Sequence, residues 1–285
     1  MGPHAQAGRK GRRTGRRTDM IVGRGGGGRR RRPARLRALL AIALSAIVLP
    51  AAETGARELR ADPAPPAREL TVGSTVSGSL AIGPFTVPLP PGDWTVYFTE
   101  TATSNDRTTR TEKVALIALD GDTMTQEIYA RADVKRDRKG FQAFPYCRDA
   151  SYFHEEQRSN LHTRGQDCWH VRAESLVERE DAGPRFQTLY AKADKENLFL
   201  PAATVGSRFH FADRDALLRV AYSWNPELVL RSRGDDKVWL AADWSKGEVS
   251  QDPRRMAVMR IMQRWGADWY ARLKAAFETG AADIR

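Results

Sequence analysis

The chain has 285 residues, 41% hydrophobic and 28% charged, with 46 Lys plus Arg against 35 Asp plus Glu and a formal net charge of +11. That balance would ordinarily point to a nucleic-acid or polyanion binder. However, residues 1–56 hold 13 of the basic and two of the acidic side chains, so 33 of each sign remain in residues 57–285 and the body of the protein is neutral. No nucleic-acid partner is therefore expected.

Arg29 to Arg37 are mostly basic, Ala38 to Leu49 are apolar, and Ala51, Ala52 and Ala56 offer small residues at the exit. This is the layout of a secretory signal peptide. The uncharged stretch from Ala38 to Ala52 is 15 residues long, short of the roughly 20 that cross a bilayer as a helix. Residues 1–56 are thus expected to be a basic leader and cleaved signal peptide. The alternative is a signal anchor with its basic side left in the cytoplasm, which would be the only contact with a membrane. Residues 57–71, rich in Pro and Ala, are expected to be a linker, and residues 72–285 a single domain.

From Val72 the pattern turns strand-like. Phe85 and Val87 alternate with Thr86 and Pro88, a Pro-rich turn with Gly92 and Asp93 follows, and Trp94, Val96 and Phe98 alternate with Thr95, Tyr97 and Thr99. Val114–Leu119 and Met124–Ala130 flank Asp120-Gly121-Asp122-Thr123, and Asp-Gly between two apolar runs is a strong hairpin signal. Lys135 to Gly140 form a basic loop after that hairpin. Trp169–Val177 reads as a strand and Arg185–Leu198 as a short helix.

Val205–Phe211 and Leu217–Trp224 would make a second hairpin, with Leu218, Val220, Tyr222 and Trp224 on one side and Arg219, Ala221 and Ser223 on the other. A helix over 213–223 competes with this reading. At the end, Asp252 offers an N-cap, Pro253 suits the first helical position, and Val258, Ile261, Met262, Trp265, Trp269, Leu273 and Phe277 recur at helical spacing. Gly280 is placed to close this helix as a left-handed cap, Gly266 could bend it, and Arg254, Arg255, Arg260 and Arg264 would form its solvated side. Strands first, hairpins in sequence and a long final helix predict an α+β domain, an antiparallel sheet built from hairpins packed against a long C-terminal helix.

Cys147 and Cys168 are the only cysteines, and in an exported chain an even pair reads as a disulfide. His154, His162 and His170 fall within 17 residues of one another, interleaved with both cysteines, Glu155 and Glu156. They could hold zinc or serve a metal-dependent or hydrolytic enzyme, but the spacing fits no established pattern and no metal is assigned. Asp235-Asp236, Asp213 with Asp215, and Glu155-Glu156 are adjacent or near-adjacent carboxylates, better read as solvated than as facing pairs. Neither a Gly-rich phosphate loop nor a dinucleotide fingerprint occurs in residues 57–285, so no cofactor is expected. Trp239 and Trp244, in a polar segment, are candidates for a binding surface.

The run from Phe85 to Trp94, the segment Tyr222 to Glu227 and the Trp-rich final helix resemble exported bacterial proteins of no known activity. The strand entering a Pro-Leu-Pro turn before Trp94 is also similar, at the level of fold, to PsbP-like domains. Both resemblances imply location and fold, and neither implies an activity or a functional residue. The expectation is a non-catalytic binding or structural domain of the periplasm or cell surface, its partner an unidentified envelope protein or small ligand. The alternative is an envelope hydrolase or metal-dependent enzyme built on His154, His162 and His170.

Overall fold

The computed structural model describes residues 70–284 except 138, 163, 178–181 and 232–236. The leader, nearly all of the linker and Asp235-Asp236 lie outside the described residues. Among the described residues there are ten strands: β1 (Thr75–Val76), β2 (Ser79–Ile82), β3 (Phe85–Pro88), β4 (Trp94–Thr103), β5 (Thr109–Asp120), β6 (Thr123–Lys135), β7 (His154–Asn160), β8 (Gln166–Ser175), β9 (Ala203–Ala212) and β10 (Ala216–Trp224). With them come helices α1 (Pro184–Glu196), α2 (Pro226–Arg231), α3 (Lys246–Gln251) and α4 (Pro253–Ala282).

Eight strands form one antiparallel sheet in the order β1-β4-β5-β6-β10-β9-β8-β7, while β2 and β3 pair separately. The sheet is two runs of neighbouring antiparallel strands joined where β10 lies against β6. The Asp120–Thr123 turn closes β5 onto β6 with Gly121 at φ +60°, as its Asp-Gly signal requires. Residues 216–224 are a strand paired on both sides, so the competing helix does not form. Helix α1 begins at Pro184 and ends with Asn197 in the left-handed region, which places it within a residue or two of the expected span.

Helix α4 crosses the front face of the sheet. Val258, Met259, Met262, Trp269, Leu273 and Phe277 are buried there against Trp169, Phe209, Phe211 and Tyr222 from the strands. Asp252 caps it by accepting from the Arg254 amide at 2.8 Å. The two glycines do different work from the sequence expectation. The helix runs past Gly280 to Ala282, and a Cβ at 280 would stand 2.5 Å from both the Phe85 ring and the Pro84 carbonyl. At Gly266 a Cβ would meet Trp169 at 2.6 Å and the Ser207 hydroxyl at 2.7 Å. Gly280 is thus not the cap, and each glycine lets the helix backbone approach what lies beneath it. Arg255 also departs from the solvated side, since it is buried with its guanidinium over Trp239 and donates to the Asp243 carbonyl.

A helix glycine facing water gains about 1 kcal/mol on replacement by alanine. We expect Gly266→Ala instead to lose about 1–2 kcal/mol, because overpacking costs more than the propensity returns. Urea midpoints of the two proteins check this, and a more stable variant would refute the close approach.

The two segments that carry the resemblance meet in space. Tyr222 donates to the Pro88 carbonyl at 2.7 Å, and the Trp94 indole N–H donates to the Pro90 carbonyl at 3.1 Å. The Pro-rich turn is thereby held to the middle of the sheet. Among the described residues no helix is long and apolar enough to cross a membrane.

Candidate binding site on the back of the sheet

Alternation along the inner strands puts charged side chains on the face opposite α4. From β6 come Glu127, Tyr129, Arg131 and Asp133; from β8, His170, Arg172 and Glu174; from β9, Arg208 and His210; from β10, Arg219. The pairing register aligns them in rows. Tyr129, Ala221, Arg208 and His170 form one, and Arg131, Arg219, His210 and Cys168 the next.

This polar face is covered rather than solvated. The segment between β6 and β7 folds back over it, tied by the Cys147–Cys168 disulfide, whose Cα atoms are 5.6 Å apart. Gln166 donates to the Phe141 and Gln142 carbonyls at 3.0 and 2.8 Å, and Asn160 exchanges two hydrogen bonds with the Phe144 backbone. The cover lays Phe144 flat on His210, centroids 4.1 Å apart, and Tyr152 flat on His170 at 4.2 Å. Farther along, α1 closes the same face with Phe186 and Leu189 packed on Tyr97, Phe98 and Ile117.

Between cover and sheet lies a cavity of about 300 Å³. Its charged walls are Arg172, Arg208 and Arg219 with His170 and His210; its uncharged walls include Tyr129, Phe144, Tyr146 and Ala221. His170 is 5% exposed, yet neither of its ring nitrogens has a hydrogen-bond partner among the described residues. The Nε atoms of Arg172 and Arg208 are likewise buried and unpartnered. Such groups are rarely left unpaired in a folded protein, because desolvation without a partner is costly.

The electrostatics follow from burial and crowding of like charge. Burial, reinforced by Arg208, Arg172 and His210, pushes the His170 imidazole well below its ordinary value. Burial and then Arg219 lower His210 to about 3. Burial and then Arg131 lower Arg219 to about 10, with the Asp133 carboxylate opposing them only in part. Glu174 is the reverse: burial would raise it, but Arg208 and Arg185 outweigh that and hold it at about 2.

The residues singled out from sequence do not converge. His154 stands opposite Val171 in the ladder, on the front face, where its Nδ1 meets Gln263 at 3.1 Å. His170 is on the back face, and His162 is exposed in the turn after β7. Among the described residues no group of three His, Cys, Asp or Glu side chains could hold a metal ion. Glu155 and Glu156 project to opposite sides of β7, one bonded to the Asp149 amide and the other to Arg158 and Trp169. Asp213 accepts from the amides of residues 215 and 216 in the β9–β10 turn. Trp239 and Trp244 are 4% and 2% exposed and packed edge to face, so they belong to the core and offer no binding surface.

A wider, open groove of about 1050 Å³ runs between α4 and the β7–β8 edge, floored by Trp169 and Ile261. We favour the smaller cavity as the functional site, because three arginines face it beside His170, whose two ring nitrogens are both buried and unpartnered, whereas His154 in the groove has one of its nitrogens bonded to Gln263. Sequence reasoning missed it. Its one available trace was the alternation of charged residues along β6, β8, β9 and β10, which is also what an ordinary solvated face looks like.

No family model, curated protein or solved structure matches the chain.

Proposed function

We propose that this protein is exported and works in the bacterial envelope, in the periplasm or at the cell surface, as a non-catalytic domain that binds a small ligand in the back-face cavity. The observation that carries the binding reading is His170, buried at the wall of a preformed cavity with both ring nitrogens unsatisfied. A ligand that completes those bonds recovers free energy the empty protein lacks. Export is supported by the leader pattern, by the disulfide and by the likeness of the Phe85–Trp94 and Tyr222–Glu227 segments to exported proteins.

Two measurements test this. Residues 1–70 fused to a reporter that works only outside the cytoplasm should give an active reporter; an inactive one overturns export. For binding, Ala221→Phe fills the cavity from its sheet wall. A ligand at about 100 times its Kd raises wild-type stability by about 2.7 kcal/mol, seen as a higher melting temperature in a thermal-shift screen of small metabolites. Ala221→Phe should abolish that shift while keeping a cooperative melt. A ligand that stabilises both proteins equally binds elsewhere and sinks the assignment.

A further inference from the structure

Resting on the cavity being a binding site, we propose that its ligand is a small molecule bearing an oxyanion, carboxylate or phosphate, held by Arg172, Arg208 and Arg219 with His170. The argument is one of charge and of donors.

Three arginines line the cavity, and among the described residues the carboxylates within ion-pair distance of the back-face arginines are Asp133, Glu127 and Glu174; Glu155 and the Glu100–Lys113 pair share the face without pairing to them. Arg131 is paired to Asp133 at 2.9 Å, Arg185 lies 3.6 Å from Glu127, and Glu174 is shared among Arg185, Arg208 and Arg172 at 3.1, 2.7 and 3.8 Å. Arg219 has no carboxylate within 4 Å among the described residues, and Asp133, which acts on it from farther off, is already paired to Arg131. The cavity wall is therefore positive, with Arg172, Arg208 and Arg219 facing it and Glu174 the one carboxylate within 4 Å of any of them among the described residues, and a partly desolvated charge without a partner is costly. A cationic ligand would add to that charge and a neutral one would leave it. An anion removes it.

The unsatisfied groups point the same way. The Nε atoms of Arg172 and Arg208 can only donate, as can the terminal nitrogens of Arg219, and His170 carries at least one N–H. A site short of acceptors calls for a ligand rich in them, and an oxyanion is all acceptor.

Arg219 is also held in place before any ligand arrives. The Phe141 and Gln142 carbonyls accept from the Gln166 amide group, which leaves its oxygen to accept from His210 Nε2 at 2.6 Å. That tautomer makes His210 Nδ1 an acceptor, and Arg219 Nε donates to it at 3.0 Å. The chain consumes only the Nε of Arg219. Its guanidinium, resting 4.1 Å above the Phe144 ring, keeps both terminal nitrogens for a bidentate partner. Phe144 and Tyr146, their ring centroids 5.3 Å apart, supply an apolar side to the same cavity.

Calorimetric titration of the purified, oxidised protein with benzoate, with inorganic phosphate and with benzamide, the neutral match in shape to benzoate, tests the class. At least one of the two anions should bind, with benzamide at least tenfold weaker than benzoate; which anion binds more tightly distinguishes a carboxylate from a phosphate ligand. Arg219→Gln should weaken the anion at least tenfold and melt close to the wild type, since the half-buried charge that it removes has no carboxylate within 4 Å among the described residues. Arg219→Lys, which keeps the charge and loses the fork, should fold and bind several-fold more weakly.

Equal binding of benzoate and benzamide, both lost in Ala221→Phe, would overturn the anion class and leave the cavity a binding site. Anion binding that survives both Arg219→Gln and Ala221→Phe would place the anion elsewhere, such as on the basic leader, and overturn the site. Failure of both anions to bind a correctly oxidised protein would overturn the inference itself, whatever the metabolite screen finds.

Discussion

Lowering the pH from 7 to 5 is expected to cost the empty protein at least about 2 kcal/mol of stability, the share of His210 alone. The folded protein holds this imidazole at about 3, against an ordinary 6.5. Below pH 6.5 the unfolded chain takes up a proton that the folded one refuses, so stability is complete above 6.5 and falls by about 1.4 kcal/mol per pH unit as pH drops toward 3. His170, lowered in the same direction by burial and by Arg208, adds to the fall. Glu174 is held at about 2 against an ordinary 4.5, so its contribution is lost below the window. Urea unfolding at pH 7, 6 and 5 measures the slope, and His210→Gln should flatten it by the share of one histidine. An oxyanion in the cavity would favour a protonated His170, so saturating benzoate or phosphate should make the slope shallower. A stability that is flat between pH 7 and 5 would mean that these histidines are not buried neutral groups.

Removing the disulfide is the other large perturbation. Cys147 and Cys168 close a loop of 22 residues, for which loss of chain entropy in the unfolded state predicts about 3.4 kcal/mol. That is a substantial part of the 5–15 kcal/mol by which a domain is ordinarily stable. We expect the Cys147→Ala/Cys168→Ala protein to unfold at a correspondingly lower urea concentration but to keep its sheet, because the ladders of β8 with β7 and β9 do not depend on the bridge. The cover would then be tied to the sheet by noncovalent contacts, among them the bonds of Gln166 and Asn160, that of Glu155 to the Asp149 amide and the stacking of Phe144 and Tyr152 on the histidines. Anion affinity should fall as well, since the Gln166–His210–Arg219 chain starts from carbonyls of that cover. A double variant within 0.5 kcal/mol of the wild type would show that the bridge does not restrain the unfolded chain, contrary to the entropic estimate.

Much of the architecture was legible because it is set by short-range patterns. The Asp120-Gly121 turn, the alternation over residues 94–99, the Asp252-Pro253 start and the apolar stripe of α4 each state a local preference that the folded chain keeps. Strand β7 escaped notice because His154 to Asn160 has no apolar alternation: it is an edge strand made of polar residues. The tryptophan assignment failed for a related reason. Trp239 and Trp244 follow a polar stretch, yet both join the core cluster beneath α4, with Arg255 from that helix lying over Trp239. Gly280 and Gly266 looked like punctuation of a helix, since nothing along the chain reveals that Phe85 and Ser207 would come to lie beneath them.

The candidate site divides along the same line. From the sequence alone come the even cysteine pair, the basic leader with its apolar run, the neutral body, the α+β class, and the fact that Arg219 faces away from Val220 and Tyr222. Only the tertiary structure decided that the charged face is enclosed. Period-two alternation specifies which side chains share a face, but says nothing of whether that face meets water or another part of the chain. That was settled by a disulfide between residues 21 apart and by side chains such as Gln166, which binds backbone 24 and 25 positions away. These long-range closures bring arginines from three strands around one histidine, and in so doing convert an ordinary polar surface into a cavity with a charge to be matched.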